Sequence, residues 1–377
     1  MNTIFRCLLA ACTLAVLTSN AGAQTREILI GQVAPFSGPQ AVTGKAIHAG
    51  ARLYLDQVNA EGGINGARLR LVTRDDAQKP AETLRLTREL LQQESPVALL
   101  GTVGTSNIQA LIDDGLLSRA NLALVGAGSG ASSILKSRNV FVVKASYHEE
   151  VNRLFQSLTS LQVNRIGLIY QDDGMGQDVI AGAEAAADRY QVQIVARSSY
   201  ERNTVKVENA VKAMLAARPQ AIFLGATTAA AIEFVRQYRQ QGGDASLYGM
   251  SVIDTQQLLG KLGTDLARGF AFSAVLPLES QATIGIAREY QRQKALRPNP
   301  DLSGRSIEGY IAAKALVQAL RTAQASGNPG PAGVLRALQG ARKQDLGGYA
   351  LDFSQPGRSG SSYVDFAMFG NAGKIIH

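Results

Sequence analysis

Two glycine-rich loops carry the residue types best suited to holding a small anion. One runs from Gly101 to Ser106 and the other from Gly126 to Gly130, and each follows a buried apolar run and precedes a helical pattern. Hydroxyl groups, together with the free N–H groups of a helix N-terminus, form a seat for a carboxylate. We therefore expect Thr105 and Ser129 to contact a ligand. The alternative is that both hydroxyls only cap helices.

Nucleotide binding and covalent catalysis both fail on spacing. The Gly126-Ala127-Gly128 run resembles the start of a dinucleotide fingerprint, but Ala131 stands where the third glycine belongs and no acid follows about 20 residues on. Ser129 has Ala127, not glycine, two positions before it, so it does not form the nucleophile elbow of hydrolases. These loops predict binding without chemistry.

The remaining titratable residues form no recognisable catalytic or metal site. The histidines His48, His148 and His377 lack metal-ligand spacing. The pairs Asp75-Asp76 and Asp172-Asp173 end predicted strands, where helix capping and hydrogen bonds between lobes are favoured over acid–base catalysis. We expect that the protein is not an enzyme and that it binds neither a metal ion nor a cofactor.

The N-terminal 23 residues have the pattern of a cleaved secretory signal. Arg6 supplies the positive charge, an apolar stretch runs from Cys7 to Leu17, and Ala21-Gly22-Ala23 offers small residues at the cleavage site. We expect an exported, periplasmic chain. Lipidation of Cys12 is the alternative, but it would leave too short an apolar core. Both cysteines of the sequence lie in this signal, so no disulfide is expected.

Length and charge narrow the class further. The net charge is +8, and removing Arg6 leaves 37 basic against 30 acidic residues, or +7. The basic residues are interspersed with acids and tryptophan is absent, which argues against a nucleic-acid partner. About 350 residues usually form two domains. No later segment reaches the roughly 18 to 20 apolar residues of a membrane span, and a monomer is the default expectation.

Strand and helix patterns alternate in two successive series. Such a repeat predicts two doubly wound α/β lobes. A mainly helical segment over 281–341 and a strand over 363–369 follow the second series. The predicted strands are 27–33, 69–73, 97–100, 122–125, 140–144, 165–170, 192–196, 221–224 and 247–249, with helices near 47–58, 106–117, 177–189, 204–217 and 228–241.

With these features in place, the chain resembles the periplasmic solute-binding proteins of branched-chain-amino-acid-type ABC transporters. The resemblance covers essentially the whole mature chain and is carried by Ile30 to Pro39, Gly50 to Gly66, Arg74 to Ala77 and Lys144 to Tyr147. It implies the type I periplasmic binding fold, α/β with two doubly wound Rossmann-like lobes joined by a hinge of three crossovers. The implied division is lobe 1 from 24–144 plus 276–361 and lobe 2 from 145–275 plus 362–377.

The resemblance also implies a function and a set of site residues. A binding protein of this family closes two lobes around a small solute, and the closed form is presented to the membrane permease subunits of an ABC importer. The family's carboxylate seat maps onto Thr105, Ser106, Gly128 and Ser129. The other positions that match the family's ligand contacts, or that could pack the apolar part of a ligand, are Phe36, Thr43, Tyr147, Met175, Thr227 and Ser251. Phe36 and Tyr147 have hinge or core packing as an alternative role.

The second-lobe positions lack the acid that would neutralise an amino acid's ammonium group. Burying an ammonium without a carboxylate is costly, so we expect a carboxylate-bearing organic acid unless Asp172, Asp173 or Asp254 supplies the charge. A branched-chain or other hydrophobic amino acid, and urea or a short amide, are the alternatives. A ligand sensor that signals without a transporter is a more distant one.

Overall fold

Two large sheets organise the computed structural model, which describes residues 26–376. The predicted signal segment, its cleavage site and Cys12 lie outside these residues. The strands are β1 (Glu27–Ala34), β2 (Arg68–Asp75), β3 (Ala98–Leu100), β4 (Leu124–Val125), β5 (Val140–Phe141), β6 (Arg165–Asp172), β7 (Gln193–Glu201), β8 (Ala221–Gly225), β9 (Ser246–Gly249), β10 (Ala271–Ala274), β11 (Gln344–Asp345), β12 (Ala350–Leu351), β13 (Asp365–Phe369) and β14 (Ile375–Ile376).

Helices connect most of these strands. They are α1 (Ala41–Ala60), α2 (Pro80–Glu94), α3 (Thr105–Asp113), α4 (Leu116–Arg119), α5 (Ser132–Leu135), α6 (Tyr147–Ser160), α7 (Gly174–Tyr190), α8 (Glu208–Ala217), α9 (Thr228–Gln240), α10 (Thr255–Ala267), α11 (Gly285–Leu296), α12 (Ser306–Ala325) and α13 (Pro331–Gln339), with a short 3-10 turn at Asn371–Gly373.

The first lobe is built on a five-stranded sheet in the order β2-β1-β3-β4-β5, with every pair parallel. Its inner strand β3 is completely buried, which explains why it reads as an unbroken apolar run. Because the strands are parallel, the two glycine-rich loops leave β3 and β4 at the same edge of the sheet. The isolated bridge between Val103 and Gly128 holds these loops side by side.

The second lobe is built on a seven-stranded sheet in the order β14-β13-β10-β9-β8-β6-β7. Strand β13 pairs antiparallel with β10, while β6 to β10 are mutually parallel. The chain passes between the two sheets after β5, after β10 and before β13, so the predicted two-lobed α/β fold with three crossovers is confirmed. The predicted boundaries at 144/145, 275/276 and 361/362 fall within these connections and stay predictions at the level of single residues.

Helix α1 packs against α12 so closely that their backbones almost touch. A Cβ added to Gly50 would lie 1.7 Å from the carbonyl oxygen of Ser306, and one added to Gly309 would lie 1.9 Å from that of Ile47. No side chain fits at either place. These two glycines therefore allow the long C-terminal helix to complete the core of the first lobe.

Several predicted elements are wrong in extent, and the strands predicted at 122–125 and 140–144 cover only Leu124–Val125 and Val140–Phe141. The predicted helix over 106–117 is two helices, α3 and α4, because Gly115 between them adopts a left-handed conformation with φ 73°. The predicted strand over 192–196 continues to Glu201, since it pairs with β6 along its whole length. The next helix consequently begins at Glu208 and not near residue 204.

The hinge is fastened by one tyrosine and one buried ion cluster. The hydroxyl of Tyr349 donates to the carbonyl oxygen of Val143 at 2.7 Å and lies 3.2 Å from that of Val275, so it contacts two of the crossover segments. Beside it, Lys144 and Arg305 both pair with Glu308 at 2.7 Å. Burial opposes ionisation of Glu308, but the two cations outweigh it and hold its pKa below the ordinary value. Burial also lowers the pKa of Lys144.

Candidate functional site

A cleft lies between the two lobes, at the carboxyl ends of the parallel strands. This is where ligands bind in open α/β sheets. Both lobes and the hinge side contribute to its wall. The lining residues are Gln40, Thr43, Gln78, Val103, Gly104, Thr105, Gly128, Tyr147, Gln171, Asp173, Met175, Asn203, Thr227, Val252 and Arg305.

The first-lobe side of the cleft is formed by the N-terminus of α3. Thr105 is the first helical residue, and the preceding Gly104 supplies no side chain to cap the helix. The Thr105 Oγ1 atom lies 2.8 Å from Ser129 Oγ, and Ser129 itself is fully buried behind it. The helix N-terminus carries partial positive charge and unsatisfied N–H groups. This arrangement suits a carboxylate.

A buried tyrosine lies next to the seat. Burial raises the pKa of Tyr147 to about 12, although the nearby Ser129 hydroxyl acts in the opposite direction. The Tyr147 hydroxyl therefore stays protonated at neutral pH. Ser129 also accepts from the N–H of Ala131 at 3.2 Å, which is a turn contact two residues on and not a helix cap, because Ala131 itself is the cap residue of α5.

The second-lobe side of the cleft is formed by the N-terminus of α7. Asp173 caps this helix, because its Oδ1 atom accepts from the N–H groups of Met175 at 2.9 Å and Gly176 at 3.3 Å. Its Oδ2 atom accepts from Gln171 Nε2 at 2.8 Å and lies 3.2 Å from Arg202 Nε. Asp173 thus carries the capping role expected of it, and it also places a carboxylate in the cleft wall.

Contacts across the cleft hold the lobes close together. Arg202 of the second lobe donates to the carbonyl oxygen of Gln78 at 2.8 Å and to Asn107 Oδ1 at 2.6 Å. A Cβ placed on Gly174 would lie 3.3 Å from Thr105 Cγ2, so the N-termini of α7 and α3 face each other. The structure therefore represents a closed form of the two-lobed protein.

Gln78 lies just before the N-terminus of α2, in a stretch of backbone with an unusual conformation. Ala77 and Gln78 are consecutive non-glycine residues with φ 46° and 63°, a left-handed conformation that costs of order 1–2 kcal/mol per residue. The acceptors Asp75 and Asp76 hold the N–H groups of Ala77 and Gln78, each at 2.9 Å. The Gln78 side chain is 6 % exposed, and its Oε1 atom has no hydrogen-bond partner.

The structure brings most of the sequence-predicted residues together at the cleft, where their roles as ligand contacts stay predictions. Those that line it are Thr43, Thr105, Gly128, Tyr147, Met175 and Thr227. Ser106 follows Thr105 on α3 but is not part of the lining, and Ser129 lies behind the wall. Phe36 packs edge-on against His48 with ring centroids 5.6 Å apart.

Ser251 is also outside the cleft lining, and it forms hydrogen bonds with Glu150. Its N–H and hydroxyl donate to the Glu150 carboxylate at 2.6 and 2.9 Å, and Ser273 donates to the same group. Burial raises the pKa of Glu150 although Ser273, Ser251 and Lys144 all favour its charged form. Ser251 borders a separate cavity near the second crossover, together with Asp254.

Sequence reasoning missed several residues of the wall. Gln40, Gln78, Gln171, Asn203 and Arg305 line the cleft without belonging to any motif. The position of Gln171 near the end of β6 was a usable signal, because strand ends line such clefts. Arg305 had none, since it enters the site only through the packing of the distant helix α12.

Within residues 26–376, no helix is long and apolar enough to cross a membrane. The same residues contain no group of three or more His, Cys, Asp or Glu side chains placed to hold a metal ion.

Comparison with known proteins identifies the family. The profile of the periplasmic binding protein family matches residues 27–374. A substrate-binding periplasmic protein from Ralstonia solanacearum is similar in structure, with a TM-score of 0.89, 43 % identity and coverage of 93 % of this chain and 99 % of that one. The Leu/Ile/Val-binding protein homolog 8 of Brucella suis is 24 % identical over 365 residues, covering 92 % of this chain and 90 % of the relative.

A ligand-bound structure shares the fold. The branched-chain amino acid transporter substrate-binding protein of Streptococcus pneumoniae, solved with isoleucine, has a TM-score of 0.81 at 17 % identity, covering 93 % of this chain and 98 % of that one. At that identity the likeness concerns the fold alone. The two lobes, the cleft at their strand ends and the match along nearly the whole described chain lead to one conclusion: the chain belongs to the periplasmic binding protein family, as a Leu/Ile/Val-binding-type solute-binding protein with the type I fold.

Proposed function

We propose that this substrate-binding component of an ABC transporter takes a small apolar α-amino acid, with leucine, isoleucine and valine as the first candidates. The observation that carries the proposal is Asp173, whose carboxylate lines the cleft. The organic-acid interpretation of the sequence depended on a missing acid. Asp173 is one of the three acids that could remove that objection.

The first-lobe seat suits the carboxylate end of such a ligand. Thr105 offers a hydroxyl, and the first turn of α3 offers N–H groups without a side-chain cap. The dipole of α3 favours negative charge there, whereas the N-terminus of α7 is already capped by Asp173. The hydroxyl of Ser129 keeps that of Thr105 in place by the 2.8 Å contact between them.

Asp173 is the acid that lines the cleft at the ammonium end, although its carboxylate already has several partners. It accepts two main-chain N–H bonds and one from Gln171, and it pairs with Arg202. A ligand ammonium beside it would gain a charge-assisted contact in a water-poor cleft, where such contacts are stronger than in water. Val103, Tyr147, Met175 and Val252 provide apolar surface for the side chain.

The relatives support the amino-acid alternative better than the organic acid. The Brucella suis relative is described as a Leu/Ile/Val-binding protein homolog, and the Streptococcus pneumoniae protein was solved with isoleucine. We infer from the family a periplasmic location and a permease partner that recognises the closed form. A monomer in solution stays the default prediction made from the sequence.

A plain organic carboxylate is the second candidate, because Asp173 already has a cationic partner in Arg202. If this ion pair is fully satisfied, the cleft holds no free acid for an ammonium group. A carboxylate without nitrogen would then fill the seat at Thr105 at lower cost. The two candidates differ only in what they predict for deaminated analogues of the same amino acid.

A thermal-shift panel on the mature protein separates the candidates. Ligand at about 100 times its dissociation constant stabilises the folded state by about 2.7 kcal/mol, which raises the melting temperature by several degrees. The panel contains leucine, isoleucine and valine, their deaminated carboxylates, benzoate, urea and acetamide. We expect shifts with the amino acids. A shift with the deaminated carboxylates alone favours the second candidate, one with urea or acetamide alone contradicts both, and no shift with any of them contradicts the small-solute assignment.

A further inference from the structure

Gln78 is a cleft residue whose side chain ends in an unused hydrogen-bond acceptor. It lines the cleft between the lobes and is 6 % exposed. Its Oε1 atom has no partner, and its Nε2 atom has only a weak 3.5 Å contact with the carbonyl oxygen of Val103. A buried acceptor without a donor is rare in proteins, because it has lost its bonds to water and gained none in return.

The surroundings of Gln78 hold this acceptor in place. The neighbouring acids fix the left-handed backbone of the loop, as described above. A Cβ on Gly104 would lie 2.1 Å from Gln78 Nε2. Because glycine has no Cβ, the Gln78 amide can pack against the N-terminus of α3. The amide therefore lies directly beside the proposed carboxylate position.

We propose that Gln78 is a specificity-determining residue whose Oε1 atom accepts a hydrogen bond from a donor group on the bound solute, next to its carboxylate. This inference rests on the proposed function and narrows it. The solute class becomes carboxylates with an N–H or O–H on the adjacent carbon, which are α-amino and α-hydroxy acids. Plain carboxylates of the same skeleton leave the acceptor unsatisfied and are bound less well.

The same residue is held from the opposite lobe. The main-chain oxygen of Gln78 accepts from Arg202 at 2.8 Å, so this bond between the lobes does not involve the side chain. A side-chain substitution therefore leaves the contact between the lobes in place. Loss of affinity in such a variant reports on the ligand bond and not on lobe closure.

The test compares Gln78→Met, which keeps the length of the side chain but removes the acceptor, with Gln78→Glu, which keeps an acceptor and adds charge. Affinities for leucine, α-hydroxyisocaproate and isocaproate are measured by calorimetry, with the exposed Gln92→Met on α2 as the matched control. We expect Gln78→Met to lower the affinity for leucine and for α-hydroxyisocaproate about tenfold, which corresponds to the loss of one hydrogen bond. The affinity for isocaproate should change by less than about twofold. Gln78→Glu should keep the affinity for leucine and lower the affinity for isocaproate.

The outcomes distinguish this inference from the proposed function. If the wild type binds leucine and Gln78→Met binds it equally well, or weakens all three ligands equally, the inference is wrong and the proposed function stands. If the wild type binds isocaproate as tightly as leucine, no donor is recognised and the inference is also wrong. If the wild type binds only another donor-bearing solute of the panel, the proposed function fails, and Gln78→Met is then measured against that solute with the same expectation.

Discussion

The hydroxyl oxygens of Thr105 and Ser129 lie 2.8 Å apart, although the residues belong to loops that leave different strands. This contact joins the two glycine-rich loops at one point, and only Thr105 of the pair lines the cleft. Thr105 is therefore the direct contact of the proposed seat, and Ser129 orients it.

Replacing Thr105 by valine removes the hydroxyl while keeping the shape of the side chain. We expect ligand affinity to fall at least about tenfold, because a hydrogen bond to a charged group contributes about 1.5–3 kcal/mol. Ser129→Ala should weaken binding by a smaller factor, since it only frees the Thr105 hydroxyl. Calorimetry measures both, and a larger loss in Ser129→Ala than in Thr105→Val would show that the roles are reversed.

Arg202 links the lobes and should favour the closed form. Arg202→Met removes the bonds to Gln78 and Asn107, so we expect weaker ligand binding and a larger radius of gyration in the presence of ligand. The matched control is Arg197→Met, an exposed second-lobe arginine paired with Glu184 within the same lobe. Small-angle scattering measures the radius of gyration and calorimetry measures the affinity. Unchanged values for Arg202→Met would mean that the Arg202 contacts between the lobes are unimportant for closure.

The buried pair of Lys144 and Glu308 should matter far more to folding than an exposed pair. Lys144→Met leaves the Glu308 carboxylate with Arg305 alone in a dry hinge, and breaking such a pair costs about 3–5 kcal/mol. Lys206→Met, which breaks an exposed pair with Glu201, should leave stability almost unchanged, because water screens such a pair. Urea unfolding of both variants measures the difference, and equal effects would contradict the importance of the hinge cluster.

Glu150 should make stability depend on pH. Burial raises its pKa above the ordinary 4.5, so its contribution is fully present below about pH 4.5 and is lost as the pH rises through the folded-state pKa. Glu150→Gln keeps an oxygen for the two serines and cannot ionise. We expect the variant to match the wild type near pH 4 and to be more stable at neutral pH. Melting temperatures across this pH range measure the difference. A wild type that becomes more stable relative to the variant as the pH rises would contradict the predicted direction.

The sequence predicts the fold and part of the site for the same physical reason. Loops after buried strands, such as the one that ends at Thr105, are recognisable because apolar run, glycine and hydroxyl are adjacent in the chain. Gln78, Arg202 and Arg305 are not recognisable, because their position depends on how the lobes approach each other. The left-handed turn at Gln78 has no glycine or asparagine to announce it.

Isothermal titration of the mature protein with leucine, isoleucine and valine, beside their deaminated carboxylates, is the most direct test of the proposed ligand class. We predict saturable binding of at least one of the three amino acids at one site per chain, tighter than its deaminated analogue and much weakened in Thr105→Val. No binding of any amino acid, or tighter binding of the deaminated carboxylates, would contradict the proposal that the cleft holds an α-amino acid between Thr105 and Asp173.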